Sequence, residues 1–174
     1  MIRSIMAVVF AGLAAVACTR SQENCELSAA DTLAFTSPDA EDQITARTFG
    51  SSCDKAVGLL IVRSAEGFPI WSWSAPLSHR FGEVFAPDDR EHVQDFLERW
   101  SAPELAATGE APAWADLAPG QTTLDQLTYN DIRARGLPML CHYSATARET
   151  CVFWEPAAGG AGHFYDRDIE ENEE

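Results

Sequence analysis

VGLLIVRSAEGFPIWSW, residues 57–73, is the densest apolar stretch outside the N-terminus, and its reading sets the fold class. Val57, Leu59 and Ile61 alternate with Gly58, Leu60 and Val62, the two-residue period of a pleated strand. Ala65-Glu66-Gly67 breaks the run, and Gly67 can take the left-handed conformation that closes a three-residue hairpin loop. Regular pairing across that loop sets Ile61 against Trp71, Leu59 against Trp73 and Val62 against Ile70. Both faces of such a hairpin are apolar, so cover is expected on both sides for part of its length. Trp71 and Trp73 share one face. They suit either a platform for a ring-shaped ligand such as a sugar or a core with paired indole N–H groups. The apolar partner strand favours the core.

Further elements follow on both sides. Residues 28–35 can be a capped helix (Ser28, Asp31) or a strand, and Gln43 to Phe49 alternates weakly as a strand. Asp88 to Trp100 is the clearest helix. Asp88 caps it, Glu91 completes a box, and Val93, Phe96, Leu97 and Trp100 form one apolar stripe. Residues 102–121 make a long Ala/Pro-rich connection in which Trp114 is a candidate anchor. A second helix is expected from Leu124 to about Arg135, with Thr123 as cap, Leu124, Leu127 and Ile132 as its apolar side, and Gly136 at its end. Leu140 to Ser144 and Thr150 to Glu155 form a second hairpin. It sets Cys141 opposite Cys151 and Met139 opposite Phe153, which leaves Leu140, His142, Val152 and Trp154 on the reverse face. Residues 159–162 read as a Gly-rich linker, with a short edge strand possible at His163 to Tyr165. Residues from Asp166 onward read as a disordered acidic tail. The sum is a single α+β domain over residues 28–158, an antiparallel sheet built on two hairpins with two packed helices. In outline the element order resembles small ligand-sensing or roadblock-like domains, a likeness of order that carries no residues.

Residues 1–17 have the character of a targeting segment, with Arg3 at the start and an apolar run from Ile5 to Val16 that is too short to span a bilayer. The run ends Ala15-Val16-Ala17-Cys18. This resembles the lipobox of bacterial lipoprotein signal peptides, with Ala15 in place of the usual leucine. The resemblance implies cleavage before Cys18, lipidation of Cys18, and export to the periplasmic face of a bacterial envelope, with residues 18–27 as a tether. The chain without residues 1–17 has 157 residues and a net charge of −16. Such a charge repels nucleic acid and anionic lipid head groups and admits a cationic protein, with a soluble, self-repelling surface as the plainer reading. With Cys18 lipidated, four cysteines remain in an oxidising compartment. The preferred pairing is Cys25 with Cys53 and Cys141 with Cys151, the second across the predicted hairpin.

No motif of catalysis stands out. His79, His92, His142 and His163 are scattered without metal-ligand spacing, so neither metal nor cofactor is expected. A Cys141-His142 dyad competes with disulfide formation. His142, alone on an apolar face, reads as a satisfied core or edge residue, with ligand contact as its alternative. Glu83, Asp88, Asp89 and Glu91 cluster at a helix start, where capping accounts for them. The leading expectation is a lipid-anchored, non-enzymatic binding or envelope accessory domain. The alternatives are an exported inhibitor of a cationic enzyme such as a lysozyme, and a hydrolase with its cleft under residues 102–121.

Overall fold

The computed structural model describes residues 24–85 and 89–169. The leader, Cys18, the proposed cap Asp88 and the last five acidic-tail residues lie outside the described residues. Eleven named elements organise the rest. β1 (Ser28–Leu33), β2 (Asp42–Phe49), β3 (Val57–Arg63) and β4 (Pro69–Pro76) form a first antiparallel meander. α1 (Leu77–Phe81) and α2 (Arg90–Trp100) follow. β5 (Leu105–Ala107), β6 (Pro138–Ala145), β7 (Arg148–Glu155) and β8 (Gly160–Asp168) form a second antiparallel sheet, and α3 (Gln126–Arg135) lies in the long connection between β5 and β6. The α+β class and antiparallel pairing are as expected, with the strands divided between two four-stranded sheets.

The first hairpin turns as its sequence directs. The backbone N–H of Ser64 donates to Phe68 O at 2.8 Å, and Gly67 has φ 88°. Its register differs from regular pairing because the ladder shifts beyond Arg63 and Pro69, which makes Ile70 the extra residue of a bulge. Val62 therefore faces Trp71 and Leu60 faces Trp73, while Ile61 faces Ser72 and Leu59 faces Ser74. One inserted residue flips every side chain beyond it. Here it turns both tryptophans to the inner face. The outer face carries the half-exposed Leu59 and Ile61, and no described element covers it.

Beneath the inner face lies the main core, which includes Ile44, Leu60, Val62, Leu77 and Phe81 together with Leu140 and Val152 of the second sheet. α2 packs here too. Val93, Phe96, Leu97 and Trp100 are buried as the stripe requires, each contributing about 1.5–3 kcal/mol. Its cap is Asp89, whose Oδ1 accepts from His92 N at 3.1 Å. Trp100 leaves so little room that a Cβ on Gly58 would collide with Leu77 and crowd the indole. The opposite face of the second sheet holds Met139, Cys141, Cys151, Phe153 and Phe164 against Tyr129 and Ile132 of α3. Trp114 is the expected anchor, 5.6 Å from the Tyr129 ring. The apolar side expected for α3 is different: Leu127 is 82 % exposed and Tyr129 takes the buried place. The cap is Asp125 instead of Thr123, accepting from Thr128 N at 2.9 Å, and Gly136 ends the helix at φ 60°.

Both disulfides are present, Cys25–Cys53 and Cys141–Cys151. Cys25 lies within the stretch read as tether yet is fully buried, so the body begins earlier than residue 28. It also ends later. Residues 160–168, read as linker, short edge strand at His163 to Tyr165 and tail, form one strand, β8, which pairs along the whole of β7.

Asp42, at the head of β2, is fully buried, and its carboxylate collects four donors. Phe35 N (3.1 Å) and Thr36 N (2.6 Å) reach Oδ2, while Thr36 Oγ1 (3.0 Å) and Ala65 N (3.1 Å) reach Oδ1. One side chain thus fixes both the β1–β2 connection and the β3–β4 turn. Asp42→Ala would strand three buried or half-buried N–H groups and should cost on the order of 3–5 kcal/mol. Urea unfolding would show this as a lowered midpoint with an unchanged denaturant slope.

Candidate functional site

His142 stands where the two sheets meet. It is 2 % exposed, between Trp71 and Trp73 at ring separations of 6.3 and 6.0 Å. Trp71 Nε1 donates to His142 Nε2 at 3.2 Å, and His142 Nδ1 lies 3.0 Å from Tyr143 O. Only the neutral ring protonated at Nδ1 satisfies both partners, a tautomer assigned from this network. Burial drives its pKa down to about 4, against the smaller opposing effect of the Tyr143 carbonyl. The three residues singled out as ligand contacts are therefore together, as an aromatic seam between sheets. The tryptophans are part-buried in that seam instead of forming an open platform.

Beside the seam runs a polar row. His142 faces Thr150 across β6–β7, and Thr150 faces Asp166 across β7–β8. Thr150 Oγ1 donates to Asp166 Oδ1 at 2.8 Å, and Arg148 Nη2 lies 3.5 Å from Asp166 Oδ2. His163 Nε2 is 3.3 Å from Asp166 Oδ1. A register shift in β8 makes this meeting possible. Cys151 faces Tyr165 while Val152 faces His163, so Phe164 is the extra residue and His163 and Asp166 share a face. Nothing in the sequence marks that shift, and reading Asp166 as tail hid the pair.

The third feature is a cavity of about 230 Å³ between the end of α2, the 102–104 segment and the β6–β8 sheet. Arg99, Glu104, Tyr143, Glu149 and Arg167 line it, with Trp100 and the Cys141-His142 segment in its wall. Arg167 is matched there, since its Nε and Nη2 reach Glu149 Oε2 at 2.7 and 2.6 Å. The Arg99 and Glu104 side chains are exposed and have no hydrogen-bond or ion-pair partner among the described residues. A smaller apolar pocket, about 150 Å³, adjoins through Arg99 and Tyr143 and reaches Phe81 and Phe96. Ala102, Pro103 and Glu104 are the residues of the 102–121 connection that line this cavity. α2 supplies Arg99 from the turn that also buries Trp100, whose Nε1 donates to Tyr143 O at 2.9 Å and fixes the wall.

Among the described residues, no cluster of three or more His, Cys, Asp or Glu could hold a metal ion, and no helix is long and apolar enough to cross a membrane. Comparisons with protein-family models, curated proteins and solved structures return no match.

The folded His142 pKa lies below its unfolded value near 6.5, so the unfolded chain takes up the proton first. Its contribution is intact above pH ~6.5 and is lost as the pH falls toward 4, on the order of 3 kcal/mol. Unfolding free energies from urea titrations at pH 7.5 and 4.5 should differ by about 2–3 kcal/mol more in the wild type than in His142→Phe.

Proposed function

We propose that this chain is a non-enzymatic binding domain, held at the periplasmic face of a bacterial envelope by a lipid on Cys18, and that it takes its ligand in the cavity beside Arg99. The observation that carries this reading is the pair of opposite charges, Arg99 and Glu104, that meet no partner among the described residues and share one concave surface with Tyr143. Binding sites are typically concave with a few convergent polar groups. A small ligand bearing both an anion and a cation, such as an amino acid or a peptide end, would engage both charges and pack on Tyr143. His142 supports a binding role over catalysis at the seam, since it is neutral, enclosed and committed to two partners.

A cationic protein partner, as for an exported inhibitor, gains support from the charge distribution. Residues 77–174 contain nineteen acidic and seven basic side chains. Binding of that kind would weaken steeply with salt. The hydrolase reading draws on His163 and Asp166. Its geometry is incomplete, because Thr150 Oγ1 turns to Asp166 and not to the imidazole, so the nucleophile–base hydrogen bond is missing.

The mature chain, isolated from bacterial membranes, should carry a lipid-sized mass increment on Cys18. Titration with short peptides should change its tryptophan and tyrosine emission, and Arg99→Ala should weaken binding by about tenfold or more, as for loss of one charged hydrogen-bonding group. Ester or glycoside hydrolysis that disappears in His163→Ala, with the unfolding midpoint unchanged, would replace this reading with the hydrolase.

A further inference from the structure

Among the described residues nothing covers the outer face of the first sheet, and its charge differs from that of the rest of the chain. Its outward positions alternate along β1 to β4 and include Arg47 on β2, Val57, Leu59, Ile61 and Arg63 on β3, and Ser72 on β4. None is acidic and two are arginines, in a chain of net charge −15. An apolar stripe runs down the middle, with Phe49 41 % and Val57 40 % exposed and Leu59 and Ile61 half-buried. The Arg47 guanidinium lies 4.9 Å from the centre of the Phe49 ring. Lys55 extends the basic character at the Val57 end, where Glu26 and Asp54 are the flanking acids.

The chain enters the body at that same end. Cys25 N donates to Gly50 O at 2.8 Å, and Cys25 is bonded to Cys53, so the entry point is fixed beside Phe49. Six peptide steps separate Cys18 from Asn24, which limits the distance from anchor to body to about 20 Å. A body tethered that closely must present some face to the bilayer. Its acid-rich portion would be repelled by anionic headgroups, whereas an acid-free face with arginines and exposed apolar side chains would be drawn to them.

We infer that the outer face of the first sheet is a membrane-contact surface, which lies on the anionic headgroups of the bilayer holding the Cys18 lipid. The inference rests on the lipid anchor of the proposed function. With this face down, the second sheet and α3 point away from the membrane, and the acid-rich portion with them.

The test uses the full mature lipidated chain in phosphatidylcholine vesicles with and without phosphatidylglycerol. A fluorophore is placed on Ser72→Cys of the open face or on Leu127→Cys of α3, and lipids carry a nitroxide quencher. The Ser72 label should be quenched in the anionic vesicles and the Leu127 label should not. Each arginine favours the docked orientation by about fivefold, so Arg47→Glu with Arg63→Glu should lower it by more than about twentyfold. An unchanged unfolding midpoint shows that the charge variant remains folded. Equal quenching at both positions, stronger quenching at Leu127, or shielding of Ser72 by a second copy or a protein partner independent of lipid charge would overturn the inference while leaving the anchor in place. A mature chain without lipid on Cys18 would overturn the anchor and this inference with it.

Discussion

Two indole N–H groups tie together sheets that share no backbone ladder. A buried donor without an acceptor costs the full desolvation of that group, so each indole at the interface restricts what can face it. Trp71, from the first sheet, finds the imidazole of His142, while Trp100, from α2, finds the carbonyl of Tyr143 next to it. Both acceptors lie on β6, so the first sheet and α2 are each held to the second sheet by an indole hydrogen bond at adjacent residues. The wall of the Arg99 cavity is a by-product of that docking, because the turn of α2 that delivers Trp100 to β6 also sets Arg99 at the rim.

How much of this was legible in the sequence depended on whether the signal was local. The hairpin loop at Ala65–Gly67, the α2 stripe and the pairing of Cys141 with Cys151 follow from period, turn chemistry and spacing, and all are present. The side on which Trp71 and Trp73 lie depended on one inserted residue at Ile70, which no local pattern announces. A second insertion, at Phe164, brought His163 to Asp166. A bulge is stabilised by what the flipped side chains meet across the core, so its cause lies in another part of the chain. Asp42 carries no local signal for the same reason, since its donors come from residue 35, residue 36 and residue 65. Of the candidate site, His142 and the tryptophans were named and do come together. Arg99 and Glu104 were not, because a surface arginine and a surface glutamate near a helix end carry no distinguishing pattern.

The acidic composition alone implies a self-repelling surface. The alternation of β1 to β4 divides it instead, since inward positions are mostly apolar and outward positions on this sheet hold polar, apolar and basic side chains. Net charge describes solubility, whereas the side that meets a surface is governed by the pleat.

Each disulfide joins cysteines that are neighbours in the order Cys25, Cys53, Cys141, Cys151. A chain oxidised as it is delivered, amino end first, would therefore close its first bridge before the later thiols arrive and its second between the only two left, with no call for slow reshuffling. The one competitor in that sequence is Cys18, seven positions ahead of Cys25. Blocking its sulfur early would remove the main route to a wrong bridge, so an acyl modification there would safeguard oxidative folding as well as attachment.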